Sequence, residues 1–248
     1  MFWGKRKRRE GLATEPSGFI EACTCCGSRE IAFHNILWPE LVEEWQLSPR
    51  EAQYIDRQQG LTCQQCCSNL RTMALALAIC RCFGYDGLFT DFVSEPEYRQ
   101  LRVLEINEAG GLTRFLSKLP EHTIHRYPDL DMRRMPFPEQ SFDLVVHSDT
   151  LEHVPEPTTA LRECYRVLAP GGYCAFTIPV IVGRMTRSRA GLPRSYHGCP
   201  DQHAADFVVE TEYGCDAWTH LMLAGFQECR MITPEFPSAL AFVGARWK

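Results

Sequence analysis

The 248-residue sequence lacks a long hydrophobic run: the longest, Met73 to Cys80, falls far short of the ~20 apolar residues that a membrane-spanning helix needs. It lacks a surplus of positive charge as well. With 26 Lys and Arg against 31 Asp and Glu, the net charge is −5, which gives no general attraction to nucleic acid or to an anionic membrane. No internal repeat and no low-complexity stretch is visible. The basic start, Lys5 to Arg9, leads into Ala13-Thr14-Glu15-Pro16-Ser17, where a signal peptide would carry its apolar core. The expectation is a soluble, cytoplasmic protein. Hydrophobic residues at 45% and charged residues at 23% argue against disorder, collagen-like repeats and coiled coil. A chain of this length can bury a substantial core, as one large domain or as a medium domain with an appendage.

Cysteine, by contrast, is abundant, with 13 in the chain. Six fall in two tight groups, Cys23-Thr24-Cys25-Cys26-Gly27 and Cys63-Gln64-Gln65-Cys66-Cys67. The remaining Cys80, Cys82, Cys164, Cys174, Cys199, Cys215 and Cys229 are scattered, as small apolar core residues are. Each group holds a Cys-x-x-Cys pair, Cys23/Cys26 and Cys63/Cys66. Two intervening residues let both sulfurs reach one tetrahedral ion, and a second pair closes a four-sulfur site. Gly27 suits the tight turn of such a knuckle. An odd cysteine total without a secretory signal counts against a disulfide framework. The expectation is a structural zinc ion on Cys23, Cys26, Cys63 and Cys66 with no open coordination position. Cys25 and Cys67 are surplus and leave open which sulfurs ligate.

Ser48-Pro49-Arg50-Glu51 reads as a helix start with a capping box, and that helix runs to about Gln58. Ser68-Asn69 precedes a second helix over 70–79, rich in strong helix formers. From Leu101 the pattern becomes strand, loop, helix. Strands are expected at 101–106, 123–127, 142–147, 173–179, 227–232 and 240–244, with helices near 112–119, 158–168 and 215–224. Strands alternating with helices imply an α/β fold with a mostly parallel sheet covered on both faces, and ligands bind such sheets at the carboxyl ends of the strands. The division expected is a small helix-rich zinc module with its helices over 1–83, a joining segment over 84–100, and an α/β domain over 101–248.

Four motifs then stand in order: Val103-Leu104-Glu105-Ile106-Asn107-Glu108-Ala109-Gly110-Gly111, Met135-Pro136-Phe137-Pro138-Glu139-Gln140-Ser141-Phe142-Asp143-Leu144-Val145-Val146, Leu151-Glu152-His153-Val154-Pro155 and Arg166-Val167-Leu168-Ala169-Pro170-Gly171-Gly172. Together they resemble the class I S-adenosylmethionine-dependent methyltransferases, and within these the type 11 methyltransferase-like family. The cysteine pairs resemble the zinc-ribbon-like module that precedes some such domains. The resemblance implies a Rossmann-like sheet and S-adenosyl-L-methionine as cofactor. It places Glu105, Asn107, Gly110 and Gly111 at the cofactor turn, with Asn107 and Ala109 standing where glycine is usual. Asn107 can adopt a left-handed turn, whereas Ala109 adds a methyl group to a close-contact surface. Asp131 matches the residue that meets the adenine amino group. No acid ends the second strand at Ile124-His125-Arg126-Tyr127, and Asp129 is the nearest substitute for the ribose contact. The 24 residues from Leu112 to Met135 are too few for the usual helix, strand, helix and strand, so a missing or vestigial second helix and a shortened strand region are expected.

Methyl transfer is an in-line displacement to which a protein contributes alignment, desolvation and sometimes a base. Asp149 stands near the emerging methyl group, as a cofactor or substrate contact. His153, Tyr196 and His197 are candidates for assisting deprotonation, and Glu152 pairs with His153 in the motif. Arg184, Arg187, Arg189 and Arg194 could clamp a phosphate or carboxylate on the acceptor. The leading reading is a methyltransferase acting on an unidentified small-molecule or glycan-type acceptor. Two alternatives remain: a methyltransferase-like binding protein without activity, and a zinc-ribbon adaptor for nucleic acid or protein, which the acidic chain disfavours.

Overall fold

The computed structural model describes residues 20–196 and 207–248. His197, Cys199 and the basic Lys5 to Arg9 lie outside the described residues. Among the described residues, no helix is long and apolar enough to cross a membrane.

Six elements precede the main sheet. Strand β1 (Ile31–Phe33) pairs antiparallel with β2 (Leu61–Cys63), and helices α1 (Pro39–Glu44) and α2 (Pro49–Gly60) lie between them. The capping box at α2 forms as expected: Ser48 Oγ accepts from the Glu51 N–H, and the Glu51 carboxylate accepts from the Ser48 N–H. Asn69 caps α3 (Leu70–Cys82) through the Thr72 N–H, and α4 (Phe89–Phe92) follows. All of α3 except Leu77 and Arg81 is buried, as a helix apolar on every side must be.

The main sheet has the order β10-β11-β6-β5-β3-β4, from β3 (Val103–Ile106), β4 (His122–His125), β5 (Phe142–Ser148), β6 (Leu168–Thr177), β10 (Glu228–Glu235) and β11 (Ala239–Ala245). β3, β4, β5 and β6 pair in parallel, and β11 runs antiparallel to both its neighbours. The crossover from β3 to β4 is reduced to one 3₁₀ turn, Gly110–Leu112, and one helical turn, α5 (Thr113–Leu116), shorter than the expected helix over 112–119. Turns alone connect β4 to β5, so the second helix is absent and the sheet ends at β4. The other crossover is complete. Helix α6 (Pro157–Val167) buries Ala160, Leu161, Cys164 and Val167 along one stripe, and α7 (Thr219–Ala224) packs beside it. Pro170-Gly171-Gly172, just past α6, lies within β6, where the pairing with β5 shifts between Phe142 and Leu144.

Side chains alternate between the two faces of the sheet. Leu104, Ile106, Val145, Cys174, Phe176 and Phe242 pack under α6 and α7. Val103, Leu144, Val146, Ala175, Ala241 and Val243 pack in one cluster with α3, α4, Cys23, Cys63 and Cys66. The module and the sheet therefore share a core. Residues 84–100, read from the sequence as a joining segment, carry α4 with Phe89 and Phe92 fully buried, and Phe92 stacks on Tyr98 at 4.3 Å.

A second small sheet, β7 (Val180–Ile181), β8 (Arg187–Ser188) and β9 (Thr211–Gly214) in the order β7-β9-β8, follows β6. It packs on the module: Ile181 and Val209 join Leu41 and Trp45 in one cluster, and Trp45 Nε1 donates to Ser195 Oγ at 2.9 Å.

Candidate functional site

The site forms at the carboxyl ends of β3 and β5. After Ile106 the chain turns through Asn107 (φ +57°) and Gly110 (φ +56°), both left-handed. Asn107 tolerates this conformation, and its side chain staples three turns together. Its Oδ1 accepts from the Tyr127 N–H at 3.0 Å, and its Nδ2 donates to Thr150 Oγ1 at 3.3 Å. Ala109 departs from expectation, because its methyl group is wholly buried in the α3-side core and forms no part of an exposed contact surface. A Cβ at Gly110 would stand 2.8 Å from Thr72 Oγ1, and one at Gly111 would stand 3.2 Å from Ser68 Oγ, so the turn lies directly on the first turn of α3.

Glu105 is fully buried and accepts from the Ala109 N–H (2.7 Å), the Thr113 hydroxyl (2.5 Å) and His122 Nε2 (2.7 Å). Its carboxylate shapes the turn from within.

Asp149 leaves β5 in a left-handed conformation (φ +48°), with its N–H bonded to Thr177 O at 3.0 Å. Its carboxylate forms an ion pair with the guanidinium of Arg71, which is fully buried on α3. Arg71 Nη2 donates to Gln58 Oε1 at 2.7 Å, while Nε is buried without a hydrogen-bond partner. Burial draws the Arg71 pKa down to about 10, so the group stays charged at neutral pH. Beside it, burial raises the pKa of Glu152, opposed by His153 and Arg71. Glu152 Oε2 also lacks a hydrogen-bond partner.

His153 Nδ1 lies 3.0 Å from Val208 O. A carbonyl can only accept, so Nδ1 carries the proton and Nε2 is the basic nitrogen of the neutral ring. Nε2 lies 3.7 Å from Glu152 Oε1. Tyr196 forms an isolated bridge with the same Val208, which brings it to the His153 side of the site. Asp131 is engaged by Arg133, with Nε to Oδ1 at 3.0 Å and Nη2 to Oδ2 at 2.7 Å. These bonds hold its carboxyl below the usual range, and an adenine contact would compete with them. Asp129 is exposed.

The arginine clamp is not formed by three of its four members. Arg184 is held by Glu51 and the carbonyls of Trp45 and Gln46. Arg187 and Arg189 both bind Glu212. Arg194 is exposed. Pairing across more than a hundred residues of chain, as between Arg184 and Glu51, leaves no local sequence signal. Arg71 is the residue that the sequence reading missed. Its signal was available: one guanidinium near the start of a helix with no polar face must be buried, and a buried charge needs a partner or a ligand.

Among the described residues, one group of thiols can hold a metal ion: the sulfurs of Cys23, Cys26, Cys63 and Cys66 all lie within 4.8 Å of one another. Cys23 Sγ is 3.5 Å from Cys66 Sγ, and Cys26 Sγ is 3.7 Å from Cys63 Sγ. A bond from the Cys25 thiol draws Cys66 down to about 3 and Cys23 to about 7, which favours thiolate at both. Cys25 thus serves beside the group, and Cys67 is exposed.

These donors fit an amino-acid-bearing cofactor. A buried guanidinium with an unpartnered Nε suits a carboxylate. Residues 87–176, from the segment before α4 to the end of β6, match the type 11 methyltransferase family, described as "Methyltransferase domain". Over this stretch the chain is similar to a methyltransferase domain, and its sheet is the mixed, mostly parallel one described above. A probable S-adenosylmethionine-dependent methyltransferase of Mycolicibacterium smegmatis is 36% identical over 63 residues, 23% of this chain and 24% of that protein. A ubiquinone biosynthesis O-methyltransferase of Xanthomonas oryzae pv. oryzae is 39% identical over 88 residues, 32% of this chain and 33% of that protein. The chain thus spans a third or less of the length of these curated relatives. A solved Thermotoga maritima structure, described as a S-adenosylmethionine-dependent methyltransferase and possible histamine N-methyltransferase, aligns over 84% of this chain and 97% of its own, at 13% identity and a TM-score of 0.41.

Proposed function

We propose that the protein is an S-adenosylmethionine-dependent methyltransferase acting on a small-molecule or glycan-type acceptor, with structural zinc on Cys23, Cys26, Cys63 and Cys66. The observation that carries the reading is Arg71: a buried guanidinium delivered by α3 to the carboxyl end of β5, with Nε unpartnered. It would take the cofactor's carboxylate, sharing or exchanging its ion pair with Asp149. The backbone of Gly110 and Gly111 would line the same crevice, Asn107 would hold its rim closed, and Asp131 would receive the base by yielding Arg133. S-adenosylmethionine supplies a methyl group on a positive sulfur. On the protein's side, Asp149 would bring negative charge to the crevice, and burial of Arg71 and Glu152 excludes water. His153 Nε2 accepts the proton that the acceptor loses, since Nδ1 is already committed to Val208. Tyr196, and His197 beyond the described residues, would complete the acceptor side. A four-thiolate site requires reduced sulfur, which supports a cytoplasmic setting.

The test is calorimetric titration of the zinc-loaded full chain with S-adenosylmethionine and its demethylated product. Binding is expected, and Arg71→Met should weaken it on the order of 100-fold, the value of a charge-assisted pair made in a dry site. No heat at millimolar ligand overturns the reading.

A further inference from the structure

The cysteine site and the cofactor turn come within one helical turn of each other. Cys66 Sγ lies 3.3 Å from Ser68 Oγ, whose hydroxyl can donate to the thiolate, and Ser68 O accepts from the Cys63 N–H at 3.0 Å. Ser68 is fully buried, and its Oγ is the atom nearest to where a Cβ on Gly111 would stand. On the next residues, Asn69 Oδ1 accepts from both the N–H (2.9 Å) and the hydroxyl (2.8 Å) of Thr72. Thr72 Oγ1 in turn accepts from the Gly111 N–H at 3.4 Å and closes off Gly110. The first knuckle grips the same turn from the other side, through Thr24 Oγ1 donating to Met73 O at 2.7 Å. Arg71, lying between Asn69 and Thr72, is the residue that reaches Asp149. A cavity of about 370 Å³ opens between the two sites, lined by Cys66, Cys67, Gly110, Gly111 and Arg114.

We propose that Thr72, backed by Ser68, is a positioning residue that couples the four-cysteine metal site to the cofactor turn. An ion on the knuckles fixes Ser68 and the start of α3. That fixed turn sets Thr72 against Gly110 and Gly111 and aims Arg71 into the crevice. The inference rests on the methyltransferase reading of the crevice and adds to it a dependence on the metal. Coupling of this kind is reciprocal, so whatever the metal does for cofactor affinity the cofactor does for metal retention.

The experiment measures zinc release from the full-length zinc-loaded protein to a chromophoric chelator, with and without saturating S-adenosylhomocysteine. The bound nucleoside should slow release about tenfold, within the usual span of allosteric coupling. Thr72→Val keeps the shape but leaves the Gly111 N–H without its acceptor. It should retain one zinc per chain, yet reduce the retardation to less than about threefold, and Thr72→Ser should restore it; a side chain that merely packs would show no such hydroxyl dependence. A release rate unaffected by bound nucleoside, or full retardation in Thr72→Val, overturns the coupling while leaving the methyltransferase reading intact. Failure of the zinc-loaded protein to bind the nucleoside at all overturns both.

Discussion

The two faces of the main sheet are covered by different means. On one, α6 makes a full crossover between β5 and β6 and lays a single apolar stripe over Val145, Cys174 and Phe176. On the other, the local crossover from β3 to β4 has shrunk to α5, a single turn, and the cover comes from α3, which precedes the domain match altogether. The contrast shows that a sheet face needs an apolar layer but does not specify which part of the chain supplies it. Because α3 also carries Arg71 and leads out of a cysteine knuckle, the borrowed layer brings a buried charge to the carboxyl ends of the strands and a four-thiol group to the same core.

The sharpest way to break this comparison is a matched pair of truncations. Leu75→Ala in α3 and Leu161→Ala in α6 each empty a fully buried site, and each should cost about 2–5 kcal/mol of global stability in urea unfolding. If α3 belonged to a separately folding module, Leu75→Ala would leave the main transition unmoved and add a second, weaker one. A smaller effect is expected from His147, which faces α6 and stacks on Phe176 at 4.7 Å with neither ring nitrogen hydrogen-bonded. Burial pushes its pKa down from 6.5 to about 3, so the folded state holds the ring neutral while the unfolded chain takes up a proton. Its contribution is fully present above pH 6.5 and is lost as the pH falls toward 3, at about 1.4 kcal/mol per pH unit. Urea unfolding at pH 7 and pH 5 should show His147→Leu losing about 2 kcal/mol less than the parent chain over that interval. The smallest effect belongs to the strand entrances shared by both faces. There Arg102 pairs with Asp143 at 2.7 Å while 43% exposed, and Arg102→Ala should change the unfolding free energy by less than about 1 kcal/mol.

Much of this architecture was legible in the chain. The cysteine spacing brought four sulfurs together, the capping box at Ser48 and the run of helix formers after Asn69 marked two helices, and the shortage of residues between Gly111 and Pro136 foretold the lost helix at the sheet edge. Asn107 took the left-handed conformation that its short polar side chain allows. What escaped depends on distant contacts. Ala109 turned inward because α3 lies beneath it, Glu105 was drawn to Thr113 and His122, and the arginines after Ile181 found Glu51 and Glu212. A local pattern identifies the atoms a residue can offer. The partner that accepts them is set by packing between segments far apart in sequence.

The pairing of α3 with β11 also has a consequence for biosynthesis. The helix is complete at residue 82, whereas the strand it covers spans residues 239–245, so the two are separated by most of the polypeptide. As the chain leaves the ribosome, an oily cylinder with almost no wettable side must wait for its seat to be made. Contacts this remote in sequence slow folding and prolong exposure of sticky surface. Early capture of an ion by the two cysteine knuckles would tether that cylinder close to its own neighbours during the interval, limiting its chance to adhere to other nascent chains.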